Sequence, residues 1–101
     1  MKAARSATFR EILESTRQQA AASAWERARQ ASSLRHHAAT RGDQRAAHLL
    51  SQLKREAIRL AAFLLPEQVK VTIDGDNQIG LLSVRFQGHG RLHLPAASLP
   101  F

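Results

Sequence analysis

The apolar residues of this chain change their spacing once, close to Pro66, and no other feature limits the possible folds as much. Before Pro66 they recur every three or four positions, which is the period of an amphipathic helix. From Val69 onward they alternate with polar residues, which is the period of a β-strand. Because proline disfavours helical geometry in the residue before it, the helical part should end at Leu65 or one residue earlier. The sequence therefore predicts an α+β fold, with helices first and a sheet after them.

Capping signals divide the helical part into two helices. Thr8 is followed three positions later by a glutamate, which is the capping-box pattern, so we expect helix 1 over residues 8–41. Gly42 can adopt the left-handed conformation that ends a helix. Asp43 is a favourable N-cap for helix 2, which we expect over 43–65. So short a connection makes the two helices an antiparallel hairpin.

Each predicted helix carries an apolar stripe that we expect to face the core. On helix 1 the stripe is mostly alanine after the first turns, and it consists of Phe9, Ile12, Leu13, Thr16, Ala20, Ala24, Ala31, Leu34 and Ala38. On helix 2 it is richer in leucine, and it consists of Ala46, Leu49, Leu50, Leu53, Ala57, Leu60, Ala61 and Leu64. Because alanine gains little free energy on burial, we expect helix 1 either to lie close to helix 2 or to project in part and pack on something else.

The alternating part predicts a small antiparallel β-meander of two or three strands over residues 69–94. The Asp-Gly-Asp-Asn sequence at 74–77 is a strong turn signal. Gly80, with a change of alternation beside it, predicts a β-bulge in the second strand. A second turn is expected at 88–90, where histidine stands between two glycines, and Pro95 should end the third strand.

The length of 101 residues is close to the commonest size of one domain, so we expect a single domain over 1–101 with short tails at 1–7 and 95–101. No apolar run approaches the roughly 18 residues that a membrane-spanning helix needs. The N-terminal residues lack the apolar region of a secretory signal. We therefore expect a cytoplasmic protein that does not act at a membrane.

Positive charge is concentrated in the helical part. The net charge is +7, and residues 1–65 hold 12 of the 15 Lys and Arg but only five acids, whereas residues 66–101 hold three of each sign. The polar side of helix 2 is rich in bases, and only Glu56 borders it. The predicted polyanion-binding residues are Arg45, His48, Gln52, Arg55 and Arg59 on helix 2, with Arg10, Arg17 and Arg35 on helix 1.

This basic stripe leads to the first functional hypothesis, a small non-catalytic binding protein that contacts nucleic acid or another polyanion. The alternative interpretation is a solvated helix face, which explains most charged stripes. The chain has no Tyr and one Trp, so aromatic side chains that could stack on bases are scarce. We therefore expect any contact with nucleic acid to be made to the backbone, without sequence specificity.

The second hypothesis is a homo-oligomer or an adaptor that binds another protein. Trp25 lies away from the alanine stripe of helix 1, so it either packs within the chain or anchors an interface. The last two turns of helix 2 are apolar nearly all round, and the sheet or a second subunit should cover them. The predicted interface residues are Trp25, Ile58, Ala62, Phe63 and Leu65.

Catalytic and metal-binding patterns are missing from the sequence. There is no cysteine, which excludes thiolate chemistry and disulfides. His36 and His37 point about 100° apart on a helix, and His89 and His93 stand about 13 Å apart on an extended strand, so neither pair shares a metal ion. No phosphate-binding loop or nucleophile motif occurs. We therefore expect no enzymatic activity, no metal and no cofactor.

Overall fold

A computed structural model of the chain describes residues 8–73 and 81–96. The turn predicted at 74–77, the bulge predicted at Gly80 and most of the two predicted tails lie outside these described residues. Within them the protein has two long helices followed by a three-stranded antiparallel sheet. The α+β fold predicted from the sequence, a helical hairpin and a small β-meander, is confirmed.

Helix α1 spans Phe9–Thr40 and helix α2 spans Gln44–Leu64. The capping box at the start of α1 is formed, because the Thr8 hydroxyl accepts a hydrogen bond from the backbone N–H of Glu11 at 3.1 Å and the Glu11 carboxylate accepts one from the N–H of Thr8 at 2.9 Å. Gly42 has a φ of 80°, and the Asp43 carboxylate accepts a hydrogen bond from the first turn of α2 at 3.1 Å. Both helix ends predicted at this turn are therefore confirmed.

A short 3-10 helix, Pro66–Gln68, leads from α2 into the sheet. Its strands are β1, Val69–Ile73, then β2, Leu81–Phe86, and β3, Arg91–Pro95, in that spatial order. The turn between β2 and β3 contains two glycines with φ near 83° and 92°, as glycine permits and other residues rarely do. Because β2 lies in the middle, both β1 and β3 are edge strands.

The core lies where the sheet packs on the helical hairpin. Trp25 of α1 is wholly buried, and its ring stacks on Phe86 of β2 with 5.6 Å between centroids. The Trp25 Nε1 donates a hydrogen bond to the carbonyl oxygen of His89 at 3.0 Å, and the Arg29 guanidinium donates to the same oxygen at 2.9 Å. These contacts attach α1 to the turn between β2 and β3. Alanines beside Trp25 let α2 and the sheet approach α1 closely.

The side of α2 that faces the core differs from the prediction. Lys54, Ile58 and Ala61 face inward, whereas most leucines of the predicted stripe face solvent. The sheet packs against the side of α1 that carries Trp25. The side of α2 that is nearest to the sheet faces the same core. A second apolar surface therefore remains uncovered. We call it the leucine face, and it consists of Leu34 on α1 and Leu49, Leu53, Leu60 and Phe63 on α2.

The first three turns of α1 also lie outside the core. No residue from Thr8 to Ala20 is buried, and Phe9, Ile12 and Leu13 are all more than half exposed. The reason is length, because α1 has 32 residues and its antiparallel neighbour α2 has 21. Part of α1 therefore has no helix beside it.

Candidate anion-binding cleft

A cleft of about 570 Å³ lies between the helical hairpin and the edge strand β3. Ser32 and Arg35, about one turn apart on α1, form one wall. Consecutive residues Lys54 and Arg55 of α2 line it as well, and β3 forms the opposite wall from Arg91 to Pro95. Side chains from distant parts of the chain thus converge on one concave site.

The charge of the cleft is positive and unbalanced. Arg35, Lys54, Arg55 and Arg91 line it together with His93, and no Asp or Glu of residues 8–73 and 81–96 does so. Among residues 8–73 and 81–96, the single ion pair of the structure joins Glu14 to Arg17, near the free end of α1. Two serine hydroxyls in the lining add neutral hydrogen-bond donors. Such a set of donors can bind phosphate or carboxylate oxygens, since charged donors form the strongest hydrogen bonds with them.

Lys54 is the most buried of these bases, with 5% of its surface exposed. Its ammonium donates a hydrogen bond to the carbonyl oxygen of His93 at 2.5 Å, which joins α2 to β3. Burial, and after it the positive charge of Arg35, lower the pKa of the Lys54 ammonium from 10.5 to about 8. An anion bound beside Lys54 would stabilise the charged form of this side chain and raise its pKa again.

Three further cations align across the outer face of the sheet. The strand register places Lys70 opposite Arg85 and Arg85 opposite Arg91, and all three side chains are exposed. We call them the cationic row. With adjacent strands about 4.8 Å apart, the row is about 10 Å long. Like charges in directly opposed positions destabilise a sheet. Arg91 belongs to both the row and the cleft, so the positive surface of one continues into that of the other.

The structure separates the sequence-predicted binding residues into three groups. Arg35 and Arg55 meet in the cleft. Arg10 and Arg17 lie on the turns of α1 that extend past α2, and about 27 Å of helix separates Arg17 from Arg35. The remaining residues are exposed along the outer side of α2, and they are Arg45, His48, Gln52 and Arg59.

Sequence reasoning missed Lys54 and the cationic row. Lys54 lies at the edge of the apolar stripe of α2, about 20° from Ala61, and outside the group of bases predicted on its polar side. The row was hidden because residues 66–101 carry equal numbers of acids and bases. The sequence does contain one sign of the row. Lys70, Arg85 and Arg91 each occupy a polar position in a strand whose apolar and polar residues alternate.

The predicted interface residues divide in a similar way. Trp25, Ile58 and Leu65 are buried in the core of the chain itself, so they are not available on its surface and the interface expected from them is corrected. Ala62 is partly buried and Phe63 is 80% exposed. Trp25 is off the alanine stripe because the sheet, rather than a partner, lies on that side of α1.

Comparison with protein-family models, with curated proteins and with solved structures finds no match to this chain. Within the described parts of the chain, no helix is long and apolar enough to cross a membrane. Those parts also contain no group of three or more His, Cys, Asp or Glu side chains that could hold a metal ion. The geometry of the cleft and of the surfaces around it is therefore what indicates the function.

Proposed function

We propose that this is a non-catalytic protein that binds the backbone of nucleic acid, with a phosphate group in the cleft and others on the cationic row. The observation that carries the proposal is the convergence of Arg35, Lys54, Arg55 and Arg91 on one concave site, with no carboxylate among the described residues that line it. A protein that assembles so many like charges loses stability by doing so, and a bound polyanion would restore it.

The extent of the positive surface favours a polymer over a small anion. The cleft alone could accept a single phosphate. The cationic row adds Arg85 and Lys70 beyond the cleft, and Arg45 and His48 continue the basic surface along α2. A polyphosphate backbone can contact such separated cations at the same time, and each contact adds affinity through the release of counterions.

The mode of contact follows from the aromatic residues. Trp25 is buried, and Phe63 and Phe9 are exposed on surfaces that do not line the cleft. Within the part of the chain that the structure describes, bases therefore have no Trp or Phe side chain to stack on beside the cationic groups. We expect binding that depends strongly on salt and little on sequence.

The test is fluorescence anisotropy with a labelled short duplex over a series of salt concentrations. Replacing Arg55 and Arg91 by glutamine should weaken binding about tenfold or more, and it should lower the slope of log affinity against log salt by about 2, because each lost phosphate contact removes about 0.9. Duplexes of different sequence should bind alike. A strong sequence preference would contradict contact to the backbone.

A matched control separates the cleft from overall charge. The pair Arg10→Gln and Arg17→Gln removes the same formal charge from the part of α1 that lies outside the cleft. We expect this pair to retain nearly all of the wild-type affinity. Equal losses in the two double variants would show that only the net charge attracts the duplex, and the cleft would then have no role as a site.

A further inference from the structure

The leucine face is an apolar surface that the described residues leave uncovered. Its side chains are exposed by between 41% for Leu60 and 80% for Phe63. The sheet occupies a different side of the hairpin, the one toward which Lys54 and Ile58 point. Between α1 and α2 the leucine face contains an open groove of about 390 Å³, which includes Leu34. Nothing in the described chain fills it.

The spacing along α2 indicates what kind of surface would fill this groove. Leu49, Leu53, Glu56, Leu60 and Phe63 follow one another at intervals of four, three, four and three residues. This is the spacing by which side chains of one helix pack between those of another in coiled coils and four-helix bundles. The exposed seam of α2 therefore fits a helical partner.

The area is sufficient for a second copy of the hairpin. Taking about 200 Å² for a large apolar side chain, the exposed parts of the leucine face amount to roughly 570 Å² per copy. The apolar residues on the free turns of α1, which are Phe9, Ile12 and Leu13, add about 350 Å² by the same measure. The total is close to the 800 Å² or so that each partner contributes to a standard interface.

The groove carries charges of both signs, so the grooves of two copies are electrostatically complementary to each other. Glu56 is the only polar residue within the seam, and Arg27 borders the same groove from α1. The two are not an ion pair within the chain, since the one pair among the described residues lies elsewhere. In a two-fold arrangement each copy presents the same surface, so Glu56 of one copy can meet Arg27 of the other.

We propose that a second copy of this chain covers the leucine face, so that two helical hairpins form a four-helix assembly in which Glu56 pairs with Arg27 of the second copy. A polar residue within an apolar seam fixes the register of such assemblies. The proposal does not depend on nucleic-acid binding, because the cleft and the leucine face lie on different sides of α2.

The first test is light scattering after size-exclusion chromatography at high salt and without nucleic acid. We expect a dimer whose dissociation constant rises at least about a hundredfold in Leu53→Gln/Leu60→Gln. Because both leucines are exposed within one chain, this variant should fold as a monomer with a wild-type Trp25 emission maximum. Val71→Gln is the control, since Val71 is also 40% exposed but belongs to the sheet, and it should remain dimeric.

A charge exchange tests the proposed pairing directly. Glu56→Arg and Arg27→Glu should each weaken the dimer about tenfold or more, and combining them should restore most of the affinity. A wild-type protein that stays monomeric at every attainable concentration would overturn the proposal. A dimer disrupted by Val71→Gln and not by the leucine variant would overturn it as well. Failure of the combined charge variant to recover would refute the Glu56–Arg27 contact.

Discussion

Replacing Lys54 by methionine should change how the stability of the protein responds to pH. In the folded protein the Lys54 ammonium has a pKa of about 8, against 10.5 for an unperturbed lysine. Between these two pH values the unfolded chain binds more protons than the folded one. The free energy of unfolding therefore rises with pH over this interval, and this gain is lost as pH falls from 10.5 to 8. Methionine has nearly the same length and no charge, so it removes this dependence.

The size of this pH dependence can be calculated from the pKa shift of Lys54. A complete shift over this interval would be worth about 3 kcal/mol, and the water at the mouth of the cleft should reduce it to about 1–2 kcal/mol. Methionine also removes the hydrogen bond to the His93 carbonyl, which costs about 1 kcal/mol at all pH values. We therefore expect Lys54→Met to equal or slightly exceed the wild type at pH 7 and to be less stable by about 1 kcal/mol at pH 10.5.

The amino-acid composition makes the pH dependence of stability simple to interpret. The chain has no Tyr and no Cys, so the side-chain types that most often complicate measurements between pH 8 and 10.5 are missing from its sequence. Urea denaturation followed by the emission of Trp25, at one protein concentration and a series of pH values, gives both stability curves. Lys70→Met serves as the control, because Lys70 is exposed, and it should keep the wild-type dependence. Parallel curves for the wild type and Lys54→Met would refute the reasoning.

Four further results are expected. Duplex affinity should fall as pH rises through 8, and anisotropy should show a weaker fall for Lys54→Arg, whose guanidinium stays charged. Trp25→Ala should lose about 3–5 kcal/mol of stability and Trp25→Phe about 1 kcal/mol, as measured by urea denaturation followed by circular dichroism. Asp43→Ala should cost about 1 kcal/mol, because α2 is part of the core. Thr8→Ala should leave the urea midpoint nearly unchanged and only speed amide hydrogen exchange in the first turns of α1, which contain no buried residue.

Most of the fold could be predicted because the ends of its helices and strands are determined by residues close to one another in sequence. Thr8, Gly42 and Asp43 define helix ends through hydrogen bonds and backbone angles that depend only on near neighbours. The change of period near Pro66 separates helices from strands for the same reason. Leu82, Val84 and Phe86 occupy alternate positions of β2, as the period of a strand predicts, and all three are buried. None of these conclusions requires knowledge of what lies across the core.

The prediction of which side of α2 faces the core was wrong, because it required knowing which element packs against each side of that helix. An apolar stripe on α2 shows that something covers that side, but it does not show whether α1, the sheet or another chain does so. The sheet packs on the side with Ile58 and leaves Leu53 and Leu60 exposed. The position of Trp25 was one sign of this arrangement, because an indole outside the alanine stripe needs a partner other than α2.

The cleft could be predicted only in part for a similar reason. Arg35 and Arg55 were identified from the one-sided distribution of bases on each helix. Arg91 and Lys54 reach the same site only because β3 docks beside α2, which is a tertiary contact between residues distant in sequence. Summing charge over a segment conceals such sites, since acids and bases that are close in sequence can face different sides of a sheet.

The hydrogen bond from Trp25 to the carbonyl of His89 joins residues 64 positions apart in the chain. Closing a loop of that length costs more entropy than forming the helical hairpin around Gly42 or the turn between β2 and β3. We therefore expect those two local units to form early during folding, and the docking of the indole under the turn to come late. Interactions absent from the transition state act mainly on the unfolding rate. The lifetime of the folded state then depends chiefly on how tightly this one tryptophan holds the sheet against the helices.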